Sequence, residues 1–242
     1  MEALEAAIAA IRKQKPKRIV VLTGAGVSAD SGIPTFRGEG GLWRNYRPED
    51  LATPEAFARN PLLVWEWYEW RRSIVRNAEP NAAHRAIASL RDALVVTQNV
   101  DGLHSRTGSR NIIELHGNVF RARCVRDQTR RDAFEAFDEL PPHCSCGALL
   151  RPDVVWFGEM LPEGAFERAG RAVHEADLLL VIGTSGVVFP AAGLVSLHDG
   201  LSVEINPKLS AVSSACTFAI AATAAEATPA IVEAIIDAGT DR

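Results

Sequence analysis

Apolar residues recur along this chain in two rhythms, the three-to-four spacing of helices and the short unbroken runs of buried strands. The first rhythm opens the chain, with Leu4, Ile8 and Ile11 on one face of a helix expected over residues 2–13. The second follows at residues 18–23, which read as a strand covered on both faces, as parallel strands are. Further strands are expected at 93–97, 111–115, 177–182, 201–205 and 217–221, and helices at 81–92, 163–175 and 224–238. Such alternation predicts an α/β fold, a Rossmann-like parallel sheet with helices on both faces.

Two stretches break the rhythm. Residues 38–78 contain a Gly-Glu-Gly-Gly turn and then a long helical pattern from Pro61, crowded with Trp65, Trp67, Tyr68 and Trp70. Residues 118–155 place grouped cysteines around a polar middle. As insertions they build a smaller domain from a helical module and a zinc-ribbon-like module, leaving 1–37, 79–117 and 156–242 as the Rossmann-like domain.

At 47% hydrophobic, 242 residues suffice for a substantial core. The net charge is −4, and only four of the 26 basic residues are lysines (Lys13, Lys15, Lys17 and Lys208), with no basic block. Neither nucleic acid nor a membrane surface is therefore an expected partner. No apolar run reaches bilayer-spanning length, and the first ten residues are acidic and alanine-rich, unlike a signal peptide, so a cytoplasmic location is expected. Cys124, Cys144 and Cys146 group together while Cys216 stands apart, which suits a metal site in a reducing compartment.

Gly24-Ala25-Gly26-Val27-Ser28-Ala29 follows the first strand and fits G-x-G-x-x-G/A, in which small residues let backbone N–H groups approach a pyrophosphate. A tight turn without a ligand is the alternative. The pattern continues into Asp30-Ser31-Gly32-Ile33-Pro34-Thr35-Phe36-Arg37, expected as a loop rather than a long helix. No strand ending in a ribose-binding acid follows, because Asp50 has the spacing but reads as part of a polar loop.

Gly24 to Arg37 resembles the nucleotide-binding segment of the sirtuins. The resemblance continues through the blocks beginning at Thr97 (TQNVDGLH), Glu114 (ELHG), Val154 (VVWFGE), Gly183 (GTS) and Glu204 (EINP), in family order over almost the whole chain. It implies an enzyme that cleaves NAD as co-substrate and transfers the acyl group of an acyl-lysine protein to its ribose, acting as a monomer. Thr35, where many sirtuins carry Asp, resembles the branch that removes acidic acyl groups.

His116 is the candidate base, since a neutral imidazole with a pKa of about 6.5 can accept a ribose hydroxyl proton. The resemblance implies that Asn99, with Gln98, orients the ribose and a reactive water, that Asp101 bonds the nicotinamide carboxamide, that Phe36 covers the nicotinamide ring, and that Arg37 faces phosphate or ribose oxygens; taken alone, Phe36 also reads as a core residue. It places Gly183, Thr184 and Ser185 at the phosphates and Asn206 at the adenine-side ribose. By the same resemblance Gly24, Ala25, Gly26, Ala29, Asp30, Thr35, Trp43, Val188, Pro207, Lys208 and Ala224 border the cofactor. Val154, Val155, Trp156 and Phe157 would pair with an extended substrate, opposite a wall at 187–190. His84, His143, His174 and His198 read as structural or surface residues, and His104 as a packing or capping residue near the site.

Tyr68 and Arg71, at i and i+3 of the helix from Pro61, share one face and suit a terminal carboxylate, as in the Tyr-x-x-Arg pair of the acidic-acyl branch. The plainer reading is a half-buried Tyr68 and a surface ion pair of Arg71 with Glu66 or Glu69. For metal, Asp127 stands where Cys-x2-Cys would place a cysteine after Cys124, and Cys144-Ser145-Cys146 is a tight second pair. These four could hold one structural zinc, and a cluster held by packing alone is the alternative. Three other functions remain open: mono-ADP-ribosyl transfer to protein, a non-catalytic NAD-binding module, and a hydride-transferring dehydrogenase.

Overall fold

The computed structural model describes residues 2–35 and 47–240. It opens with helix α1 (Glu2–Gln14), whose acidic first turn and basic last turn complement the helix dipole. Strand β1 (Ile19–Thr23) is buried at every position, and the glycine segment after it winds as a 3-10 helix, Ala25–Ser31, closed by Gly32 in the left-handed region. Of the stretch expected as a loop, Asp30 and Ser31 belong to this 3-10 helix and residues 32–35 carry no helix or strand. The glycine turn itself packs closely, since a Cβ on Gly26 would stand 2.7 Å from the Cα of Gly183.

Three helices follow: α2 (Pro48–Leu51), α3 (Pro54–Arg59) and α4 (Pro61–Asn77). Asp50 therefore sits on a short helix, paired with Arg47 at 3.3 Å, and not in a loop. Thr53 and Asn60 accept from Ala56 N and Leu63 N, so each of the last two helices starts on a side-chain cap with proline just inside. Helix α5 (Ala82–Ser89) is shorter than expected at both ends: Asn81 is its cap, accepting from the N–H groups of Ala83 and His84, and Leu90 ends it, its N–H donating to Ile87 O.

Strand β2 (Leu94–Thr97), helix α6 (Leu103–Arg106) and strand β3 (Asn111–Glu114) complete one half of the sheet. After strands β4 (Gly117–Cys124), β5 (Arg130–Asp132) and β6 (Leu150–Val154) come α7 (Ala165–Glu175), β7 (Leu178–Ile182), β8 (Leu201–Asn206), β9 (Phe218–Ala221) and α8 (Ala224–Thr240).

The main sheet is parallel in the order β3-β2-β1-β7-β8-β9. Successive residues of β1 point to opposite faces: Val21 joins a core with α1, α5 and α8, while Val20 and Leu22 join a second core with α7. Because β1 pairs with β2 on one side and β7 on the other, the strand order reverses between β1 and β7. A crevice opens at the carboxyl ends of strands at such a point.

A second sheet, antiparallel in the order β5-β4-β6, packs with α4 around a third core containing Trp65, Leu150 and Trp156. Trp65 is fully enclosed and donates its indole N–H to Leu150 O at 2.8 Å, joining helix to sheet. Loss of such a side chain to alanine costs about 3–5 kcal/mol. Among the described residues no helix is long and apolar enough to cross a membrane.

Candidate active site

The crevice is formed by backbone. Gly24 N donates to Ile182 O at 3.0 Å and Gly26 N to Gly183 O at 2.8 Å, so the ends of β1 and β7 are stitched together. Side chains are excluded here: a Cβ on Gly183 would lie 2.3 Å from Val27 N and one on Gly24 2.8 Å from Gly183 O. From this floor a cavity of about 740 Å³ runs toward the smaller sheet.

Gly24, Ala25, Gly26, Gly183, Thr184 and Ser185 line its floor. Thr184 ties the surrounding polar groups together. Its Oγ1 accepts from Gln98 Nε2 at 3.1 Å and from Gly186 N at 3.3 Å, and its carbonyl accepts from Asn206 Nδ2 at 3.1 Å. Val188, Pro207 and Lys208 border the same end, while Thr35, Gln98, Asn99 and His116 line the middle.

His116 has the geometry of a base. Its Nδ1 lies 3.0 Å from Gln98 O, and because a carbonyl oxygen only accepts, Nδ1 carries the hydrogen and Nε2 keeps its lone pair. Burial pushes the imidazole pKa below its ordinary value of 6.5, against the opposing pull of the Gln98 carbonyl, so the ring is neutral at physiological pH. Its backbone oxygen accepts from Val155 N at 2.9 Å, which couples the base to the wall formed by Val154, Val155, Trp156 and Phe157. Tyr68 and Arg71 line the cavity as well. Glu69 is occupied by Arg72 at 2.7 Å and Arg76 at 3.2 Å, so the surface pair of Arg71 with Glu69 gives way to an Arg71 that is 5% exposed.

Several expected site residues do not line this cavity. Asp101 is enclosed behind it, accepting from Ser28 Oγ at 2.8 Å and from Leu103 N at 2.9 Å. Ala29 is turned outward by the 3-10 helix, Asp30 accepts from Ala225 N at 3.2 Å at the start of α8, and Ala224 is packed in the core. Phe36, Arg37 and Trp43 lie outside the described residues.

Ser28 and His84 were missed as parts of the site's support. Ser28 Oγ bonds Asp101, takes Asn99 Nδ2 at 3.2 Å and lies 3.4 Å from His84 Nε2. Burial lowers His84 to about 4 and His104, whose Nε2 meets Thr23 Oγ1 at 3.1 Å, to about 3. The one available signal was a polar Ser28 inside an otherwise small and apolar glycine segment.

The fit of a metal can be tested on donor geometry. One ligand atom from each of Cys124, Asp127, Cys144 and Cys146 lies within 4.8 Å of all the others, and Cys124 Sγ is 3.6 Å from Cys146 Sγ. Tetrahedral zinc with Zn–S bonds of about 2.3 Å separates its sulfurs by about 3.8 Å. The set fits one structural zinc, and none of the four borders the cavity.

Comparison with known proteins agrees with this architecture. The sequence model of the Sir2 family matches residues 24–190. The chain is 51% identical over 228 residues to an NAD-dependent protein deacylase 2 of Pyrobaculum aerophilum, covering 90% of this chain and 91% of that protein. A crystal structure of a Sir2 homologue–NAD complex superposes with a TM-score of 0.90 at 46% identity, covering 98% of this chain and 95% of the other. A Sir2 structure with a deacetylated p53 peptide and 3'-O-acetyl-ADP-ribose superposes with a TM-score of 0.82 at 32% identity, covering 93% and 97%. A parallel sheet switched at a glycine cradle, a neutral histidine beside it and a four-ligand cysteine cluster on a small antiparallel sheet agree with these matches, and the chain belongs to the Sir2 family, the sirtuins.

Proposed function

We propose that this chain is an NAD-dependent protein-lysine deacylase that prefers succinyl- and malonyl-lysine to acetyl-lysine. The observation that carries the acyl preference is the placement of Tyr68 and Arg71 in the cavity that holds His116. Burial lowers the Arg71 pKa, opposed by Tyr68 and Asp101, and a guanidinium, whose ordinary pKa is above about 12, can hold a carboxylate there through two parallel hydrogen bonds. Acetyl offers no such partner.

The floor suits the phosphates of NAD because no Cβ stands in the way, and since the Gly24, Gly26 and Gly183 amides are taken by backbone carbonyls, the hydroxyls of Thr184 and Ser185 are the donors it offers. NAD supplies an electrophilic ribose carbon as nicotinamide departs. Asn99 and Gln98 orient the ribose, and His116 Nε2 accepts a ribose hydroxyl proton. The wall at 154–157 receives the substrate as an added strand, the arrangement suited to an extended acyl-lysine peptide.

Turnover of acetyl, malonyl and succinyl lysine peptides with NAD tests both levels of this reading. Free 2'-O-acyl-ADP-ribose, fastest from the acidic acyl peptides, is the expected product by mass. ADP-ribose attached to protein, without that product, would overturn deacylation. Acetyl peptide as the best substrate would overturn the acyl preference alone.

A further inference from the structure

A phenol hydroxyl can donate or accept, and at Tyr68 its neighbour decides. Trp156 Nε1 lies 2.9 Å from Tyr68 Oη, and an indole nitrogen can only donate. The phenol oxygen is therefore the acceptor in that bond, and its own hydrogen must point elsewhere. Conjugation keeps a phenol O–H near the plane of its ring, which leaves two orientations, and the one directed at the indole hydrogen is closed. Among the described residues Trp156 is the hydroxyl's one hydrogen-bond partner, while Tyr68 borders the cavity beside Arg71. Burial raises the phenol pKa, so the hydrogen stays on the oxygen.

The geometry points to Trp156 as a specificity-positioning residue: its indole N–H turns the Tyr68 hydroxyl into a committed donor to the carboxylate of an acidic acyl group. The indole is itself held from three sides. The Arg151 guanidinium sits 3.5 Å from its ring centroid, and Phe57 packs against it at 5.4 Å. Its backbone N donates to Glu159 Oε2 at 2.9 Å, and Arg151 donates to the same carboxylate at 2.5 and 2.9 Å. A swing of the indole away from Tyr68 would give up the Arg151 and Phe57 contacts together, while Glu159 fixes both the Trp156 backbone and Arg151, so the orientation is built in before substrate arrives. The residues involved come from α3, α4, β6 and the segment after it, which explains why no local pattern announces them.

This inference rests on the carboxylate-clamp reading of the cavity, and its consequence is selectivity, read as the ratio of succinyl to acetyl kcat/KM. Wild type, Tyr68→Phe, Trp156→Phe and the double variant are compared on both peptides. Trp156→Phe keeps an aromatic ring and removes the N–H. It is expected to lower the ratio about threefold to tenfold, the range of a single hydrogen bond, through a higher KM for the succinyl peptide. Tyr68→Phe lowers the ratio too, and the double variant is no worse than Tyr68→Phe, because the indole acts only through that hydroxyl.

An unchanged ratio in Tyr68→Phe overturns the clamp and this role with it. A lowered ratio in Tyr68→Phe with an unchanged ratio in Trp156→Phe overturns the positioning role and leaves the clamp standing. Additive losses in the double variant mean that Trp156 acts by packing, which also overturns it. Should Trp156→Phe not fold, benzothienylalanine at position 156 keeps the shape of the indole, replaces N–H with sulfur and answers the same question.

Discussion

The two halves of the cavity are built on opposite principles. Its floor lies on the main sheet, where β1 and β7 are buried throughout and helices cover both faces. Such a core is large enough to hold backbone in place, so the floor can be a side-chain-free glycine cradle whose amides tie the strand ends together. Its far wall lies on the smaller sheet and α4, where polar links supplement a smaller core. The buried Arg72 bonds Glu69 and the carbonyls of Ala133 and Glu135, and Arg121, Arg123 and Arg130 surround Asp153. Zinc held by Cys124, Asp127, Cys144 and Cys146 would add a crosslink of its own. Under the proposed function, the glycine floor receives what every turnover shares, and side chains on the polar module, Tyr68 and Arg71, distinguish one acyl group from another.

Removing the metal should separate the halves most. One zinc per chain is expected by elemental analysis, and structural zinc contributes about 10–16 kcal/mol in small zinc-binding peptides. Chelation or Cys144→Ser should raise hydrogen exchange in β4, β5 and β6 while the main sheet stays protected. Equal loss of protection in both, or protein free of zinc from zinc-replete medium, would break the contrast.

His116→Ala tests the floor by chemistry rather than stability. Loss of a positioned base should lower kcat about 100-fold to 10,000-fold, about 3–5.5 kcal/mol, with NAD binding and the melting temperature near wild type. Turnover at the wild-type rate would remove His116 from its role.

Arg71→Met tests the wall. Charge-assisted hydrogen bonds contribute about 1.5–3 kcal/mol, so the ratio of succinyl to acetyl kcat/KM should fall at least tenfold. A parallel fall of both activities would assign Arg71 to packing.

The smallest effect is in pH. Burial places the His116 pKa below 6.5, so at pH 6.5 at least half of the imidazole is still neutral. Between pH 8 and 6.5 kcat/KM should fall by less than about twofold, with the steep acid limb lower still. A midpoint above pH 6.5 would mean that the histidine is less buried in the working enzyme.

The sheet was legible because parallel strands are continuous apolar runs. Residues 18–23 and 177–182 announced β1 and β7 almost to the residue. His116 and the glycine segment stood out through short local motifs, and both line the cavity, although their partners Gln98, Val155, Ile182 and Gly183 are remote in sequence. The position of Asp101 was not legible, because its side chain turns back to bond Leu103 N, two residues on, and meets Ser28 across 73 residues, behind the cavity. His84, read as structural, sits beside Ser28 only because α5 packs next to the glycine segment.

What the sequence by itself determined is whatever depends on residues near one another along the chain: strand and helix alternation, the glycine cradle, the His116 setting and the i, i+3 pairing of Tyr68 with Arg71. Tertiary structure alone decided which polar groups face the cavity and which are spent behind it. It brought Asp127 within reach of three sulfurs, and it set the Trp156 indole against Tyr68 across 88 residues. The physical reason is that periodicity fixes the face of an element on which a side chain lies, whereas a hydrogen bond also requires a particular partner, within about 3 Å, from an element whose approach only packing can set.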